Sequence, residues 1–228
     1  GRAMCGRFTL TADIRELVEA FGLDEFPGGV VPSYNITPTQ PVLAAVFSGG
    51  KRRAGRIRWG LVPFWVKDVK KWKPLINARS ESLHERASFK HLVNKRRCII
   101  FADSFYEWKA ENGKKTPYRV LLKSEKPFAF AALWDRNTAG GEELTTCTII
   151  TTDANPKIKP IHERMPVILD GNAAVEMWLN MDQYPYHEAR KVLRPLPEVQ
   201  VKAYAVSDYV NSAKNNDSEC IRPVGAEF

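Results

Sequence analysis

Three glycine-centred turn signals constrain the architecture of this 228-residue chain more than any other feature. Gly49-Gly50, Asn112-Gly113 and Gly140-Gly141 each separate two strand-like runs, the pattern of a β-hairpin. They join residues 42–47 to 56–62, 105–109 to 118–123 and 128–134 to 144–151. In the last pair, Phe128, Phe130, Ala132 and Trp134 alternate with smaller residues, as a strand requires. Residues 98–102 and 199–206 read as further strands. Helices are fewer. Ile14, Leu17, Val18 and Phe21 repeat at i, i+3, i+4, i+7, and Gly22 can close that helix. Ser82 with Glu85 resembles a capping box opening a helix to about Val93. Asp170 can cap a helix carrying Ala174, Met177, Trp178 and Met181, and a shorter one over 186–193 ends before Pro195. Strands and helices do not alternate regularly, which argues against a doubly wound parallel sheet. The expected fold class is α+β: one compact domain of strongly curved, mostly antiparallel, barrel-like sheet with peripheral helices.

Apolar residues make up 44% of the chain, so disorder is not the default. No window holds eighteen successive apolar residues, so no membrane span is expected. Gly1-Arg2-Ala3 reads as an expression-tag remnant and Met4 as the natural start, leaving 4–228 as a single domain. The start carries no apolar signal region, and a cytoplasmic location, at the nucleoid, is expected. The cysteines at 5, 98, 147 and 220 form no Cys-x-x-Cys pair and lie at no metal-ligand spacing from histidine, so no metal site is expected. The net charge of +8 suits a polyanion such as nucleic acid, although many basic soluble proteins bind none.

Four segments could carry chemistry. Cys5 is followed by Gly6 and Arg7, and a cation beside a thiol favours the reactive thiolate. A lone cysteine more often belongs to a core. With Met4 removed, however, Cys5 would be N-terminal, with amine and thiol on one residue. Such an amine titrates near ~7.7–8.0. It can condense with an aldehyde, and the thiol can then close a thiazolidine ring. A ring-opened abasic deoxyribose is a fitting aldehyde. In residues 59–79, Phe64, Trp65 and Trp72 are interleaved with Lys67, Lys70, Lys71 and Lys73. That composition suits single-stranded DNA, with rings for bases and cations for phosphates; buried tryptophans beside a solvated lysine loop are the alternative. Glu107 sits among aromatics at a strand end, where its pKa can rise, or it is an ordinary surface glutamate. His162 lies in a proline-bounded irregular segment, unlike His84, His91 and His187 in charged helical contexts, and histidine is the natural acid or base at neutral pH.

Together these segments resemble the SRAP family, the SOS response-associated peptidase or abasic-site processing proteins. The resemblance covers nearly the whole chain. It is carried by Met-Cys-Gly-Arg-Phe (4–8), Tyr-Asn-Ile-Thr-Pro-Thr (34–39), Trp-Gly-Leu-Val-Pro-Phe-Trp (59–65), Ile-Asn-Ala-Arg-Ser-Glu (76–81), Cys-Ile-Ile-Phe-Ala-Asp-Ser-Phe-Tyr-Glu-Trp (98–108) and Ile-His-Glu-Arg-Met-Pro (161–166). It implies binding to single-stranded DNA and a covalent thiazolidine crosslink between the N-terminal cysteine and an abasic site. Cys5 is then the nucleophile, Asn77 holds amine and sugar, Glu107 manages protons, and His162 assists sugar opening and reversal. Arg7 and Arg79 would pair with phosphates, Asn35 and Trp65 would line the cleft, and Phe64 and Arg164 join them as expected DNA contacts. No cofactor is implied, and a monomer suffices because one lesion needs one site. The peptidase label implies a thiol autopeptidase exposing Cys5, and the imine allows abasic-site lyase activity by β-elimination. Two other readings remain: a cysteine peptidase acting on other proteins, and a non-catalytic single-strand binding module.

Overall fold

The computed structural model describes residues 5–228. The expectation that residues 1–3 are a tag remnant and Met4 the natural start lies outside the described residues. All three hairpins form where the glycines place them. β3 (Pro41–Ser48) and β4 (Lys51–Trp59) turn at Gly49-Gly50, β7 (Ser104–Glu111) and β8 (Lys114–Leu122) at Asn112-Gly113, and β9 (Phe128–Asn137) and β10 (Leu144–Asp153) at Gly140-Gly141. Gly49, Gly50 and Gly113 have positive φ, the backbone region that two-residue hairpin turns demand, and Gly141 adopts it in the longer connection between β9 and β10.

Two sheets result. One runs β12 (Val201–Ala205), β8, β7, β1 (Phe8–Leu10), β2 (Ser33–Ile36). The other closes on itself: β10 pairs β4, β4 pairs β3, β3 pairs β6 (Arg97–Ala102), β6 pairs β9, and β9 returns to β10. Only the β10–β4 step of that ring is parallel, and β5 (Asn77–Arg79) joins β10 in the same sense. β11 (Arg164–Pro166) pairs with the end of β10. The expected curved, mainly antiparallel α+β architecture is therefore what forms, with a ring of strands at its centre.

The sheets are locked by aromatic packing. Phe8 of β1 lies 5.0 Å from the Trp59 ring and 5.5 Å from Phe130 of β9, and all three are buried. These contacts seat β1, and the residues just before it, over the ring of strands. Phe130→Ala should cost about 3–5 kcal/mol, since nothing nearby can collapse into the space without breaking that stack; urea unfolding would read this as a lower midpoint at unchanged slope.

α1 (Ile14–Phe21) matches its periodicity, with Asp13 accepting from the Arg15 amide and Gly22 at φ 59 closing the end. Two helix expectations need correcting. Residues 83–95 form separate turns, and Ser82 caps nothing with its side chain. The Ala87 carbonyl, which a helix would give to residue 91, accepts instead from the Trp65 indole at 3.3 Å. Leu83, Phe89, Leu92 and Val93 are each drawn into the core, so tertiary packing overrides the local signal. In α2 (Asn172–Leu179) the N-cap is Gly171, because the Asp170 carboxylate accepts from Gln200, and Met181 falls beyond the end. The third helix is one turn, α3 (Tyr186–Ala189), continued by a tighter turn to Val192. No helix of the described residues is long and apolar enough to cross a membrane.

Candidate active site and nucleic-acid surface

β1 pairs with β7 at Phe8–Phe105 and Thr9–Ser104, and the Tyr106 amide extends the pairing to the Arg7 carbonyl at 3.0 Å. This register carries the chain start to Glu107. The Cys5 backbone nitrogen donates to Glu107 Oε2 at 3.2 Å. Cys5 itself has φ 48, a left-handed conformation costly for a residue with a side chain and often found at functional sites. Gly6 follows, and a Cβ placed there would lie 3.8 Å from Ile76, the neighbour of Asn77. The Cys5-Gly6 segment is thus held between Glu107, which lies within β7 and not at the strand end expected from the sequence, and the start of β5.

Glu107 is 4% exposed. Burial raises its pKa from 4.5 to about 7, against the opposing pull of the Cys5 and Trp108 amides. A carboxyl that titrates near neutrality can both take and give a proton there. The Cys5 thiol behaves differently from the expectation. Burial first, and the Glu107 charge second, push its pKa well above the ordinary range. The thiolate-promoting role expected for Arg7 is therefore corrected, since the resting sulfur is a protonated thiol inside the protein.

Beside Glu107 opens a cavity of about 530 Å³, lined also by Arg7, Trp108, Lys115, His162 and Asn211. His162 Nδ1 accepts from the Arg164 amide at 3.1 Å, so the neutral imidazole carries its proton on Nε2. On the other flank a hollow of about 400 Å³ is bordered by Trp65, Trp72, Asn77, Arg79 and Arg86. Asn77 Nδ2 bonds the Ile76 carbonyl at 3.0 Å, but its Oδ1 is buried with no partner. Such an acceptor costs stability unless a ligand donates to it. Phe64 and Trp65 are both exposed, as are Lys67, Lys70, Lys71 and Lys73, while Trp72 packs edge-on against Trp65 at 5.4 Å. Leu61 pairs with Leu75 at the base of this loop. Gly60 sits there at φ 130 with Pro74 Cβ only 2.8 Å from where its own Cβ would be. Gly60→Ala should therefore destabilise the protein by about 1–3 kcal/mol, measurable by denaturant titration.

Three expected DNA contacts occupy different positions. Arg164 is 2% exposed, its terminal nitrogens bonded to Glu81, Asp153 and Thr151 and its Nε buried without a partner. Asn35 is 1% exposed, its amide donating to the carbonyls of Val210, Ser212 and Asn215. Arg7 borders the cavity, but its two terminal nitrogens donate to Asn35, Val210 and Asn211. Arg79, by contrast, is 55% exposed and only loosely paired with Glu81 at 3.9 Å. Asn211 and Lys115, which border the cavity, carried no motif signal in the sequence.

The structure thus brings together a buried thiol, a near-neutral carboxyl that accepts from the same residue's nitrogen, and a cavity that this carboxyl lines with His162. The family described as SOS response associated peptidase (SRAP) matches residues 4–213, and the chain belongs to it. It is 46% identical over 222 residues to the abasic site processing protein YoqW of Bacillus subtilis, covering 96% of this chain and 99% of that one. It is 35% identical over 225 residues to the abasic site processing protein HMCES of Gallus gallus, covering 85% of this chain and 66% of the relative. A solved structure of a Bacteroides thetaiotaomicron protein superposes with TM-score 0.83 at 26% identity, covering 96% of this chain and all of that one.

Proposed function

We propose that this protein processes abasic sites in single-stranded DNA by forming a covalent thiazolidine through Cys5. The observation that carries the reading is the contact between the Cys5 nitrogen and Glu107, a carboxyl raised to about 7. With Cys5 terminal, its amine adds to the C1′ aldehyde of the opened sugar, forming a C–N bond. The aldehyde oxygen takes one proton from the amine and a second from Glu107 and leaves as water, giving a protonated imine and the Glu107 carboxylate. The thiol then adds to the imine carbon; its proton passes to the Glu107 carboxylate and the electron pair of the C=N bond returns to nitrogen. Because the thiol rests protonated, imine formation comes first and sulfur addition needs that carboxylate. The unpartnered Asn77 Oδ1 suits the amine as a donor. His162 Nε2–H suits the sugar oxygen during ring opening and reversal. Phe64 and Trp65 suit bases, and Arg79 with the lysines of the 67–73 loop suits phosphates. One lesion fills one site, so a monomer suffices.

The same contact supports self-processing. Glu107 lies at the nitrogen that departs when the Met4–Cys5 peptide bond is cut, so one acid can serve terminus release and later imine chemistry. Abasic-site lyase activity would follow from β-elimination of the imine before the sulfur closes the ring.

The test is a denaturing gel of protein bearing Cys5 at its terminus, incubated with an abasic single-stranded oligonucleotide and with an intact-base control. A heat-stable shift with the abasic strand alone is expected. Turnover of unrelated peptides with no DNA adduct would favour a general peptidase, and salt-sensitive binding indifferent to the lesion would favour a passive binding module.

A further inference from the structure

The chain segment 210–215, some two hundred residues from Cys5, contributes Asn211 to the lining of the cavity and is fastened to the start of β1 and to β2 by two side chains. Arg7 donates to the Val210 carbonyl at 2.6 Å, to the Asn211 carbonyl at 2.9 Å and to Asn35 Oδ1 at 3.0 Å. Asn35 in turn donates to the carbonyls of Val210, Ser212 and Asn215 at 2.8–3.1 Å. The Asn211 side chain accepts from the Trp108 indole at 2.8 Å, and the Arg7 guanidinium lies 5.7 Å from the centre of the Trp108 ring. Trp108 is the immediate neighbour of Glu107. Arg7, meanwhile, is two residues from Cys5, and its own carbonyl is held by the Tyr106 amide. Both partners of the Cys5–Glu107 contact are therefore tied to the same piece of C-terminal chain.

We infer that Arg7 and Asn35 are positioning residues: they latch segment 210–215 onto β1 and β2 and so fix the Cys5 nitrogen against Glu107, rather than binding the phosphates of DNA. This rests on the covalent abasic-site reading above. Three of the five guanidinium N–H groups of Arg7 already donate to oxygens of the protein, so the side chain is held in the latch with no ligand present. Asn35 is buried and has every amide hydrogen it can offer directed at carbonyls. Misplacing a reacting atom by about an ångström can cost up to about a hundredfold in rate while leaving binding alone, and that separates a latch from a ligand.

The experiment uses the full chain with Cys5 terminal and measures binding and single-turnover crosslinking separately on the same abasic strand. Asn35→Ala should leave the dissociation constant within about twofold and lower the rate at saturating DNA by about tenfold or more. Arg7→Lys keeps the charge but cannot bridge three acceptors. It should show the same split, with an unchanged salt dependence of binding. The double variant should be no slower than the worse single one, because both break one latch. Asn35→Gln, longer by one methylene but with the same donors, should recover part of the rate. Loss of affinity and of salt dependence at unaltered saturated rate would overturn the inference and make Arg7 a phosphate ligand. Additive rate losses, or none, would overturn it too. Should Asn35→Ala not fold, Arg7→Lys and hydrogen exchange decide: protection should fall together at residues 6–8 and 210–215, and independent changes would sink the latch. Wild-type protein that forms no adduct refutes the functional reading instead, so the two failures are distinguishable.

Discussion

Protein whose first residue is Cys5 should convert abasic single-stranded DNA into a heat-stable adduct, and molecules that still carry residues 1–4, identified by intact mass, should be absent from that adduct. The difference should be all or nothing, because an amide nitrogen has no lone pair to give to an aldehyde. The site offers no substitute: Cys98, Cys147 and Cys220 are buried elsewhere. Cys5→Ser with a free terminus should separate the two bonds. Its amine still forms an imine, which borohydride reduces to a permanent link, but the hydroxyl closes no thiazolidine, so the adduct without borohydride should disappear on heating. Equal heat-stable adduct from the serine variant without reductant would remove sulfur from the mechanism.

Glu107→Gln should have the second-largest effect, and it should act in two directions. Crosslinking should fall by about a hundredfold or more with the loss of a positioned acid–base. Stability should rise, but only above a certain pH. In the folded protein burial holds Glu107 to about 7, against 4.5 ordinarily. Below 4.5 both states are protonated and the group costs nothing. Between those values the unfolded chain releases a proton that the folded protein retains, so stability declines as pH rises. Above 7 the buried charge carries a constant penalty of about 3 kcal/mol. Glutamine still accepts from the Cys5 amide and never bears that charge. Thermal melts should therefore coincide near pH 4 and separate by several degrees at pH 8, the variant being the more stable. A gap of equal size at both pH values would show that Glu107 is not buried in the way its geometry implies.

Much of the fold was legible locally. The Gly49-Gly50, Asn112-Gly113 and Gly140-Gly141 hairpins and the α1 helix form as their patterns require, since turn chemistry and periodicity act over a few residues. What was not legible is long-range. The parallel β10–β4 and β10–β5 pairings that complete the central sheet join segments with no shared pattern. The helix expected over residues 82–93 fails because the Trp65 indole, far back in the chain, competes for the Ala87 carbonyl. The site divides in the same way. Cys5, Glu107 and His162 could be singled out by residue type and context, but the resemblance to a family, not spacing, joined residues 102 positions apart. Arg7, Asn35 and Arg164 read as DNA contacts from their motifs, and what a motif does not give is that each is bonded to other parts of the protein. Asn211 gave no signal, being one of several small polar residues near the end of the chain.

The covered position of Cys5 has a bearing on how the protein survives in a cell under stress. Its sulfur keeps its proton and meets no solvent. Alkylating reagents and peroxide attack anionic, accessible sulfur, so the thiol proposed to capture the sugar would be spared by the same oxidising episodes that damage DNA.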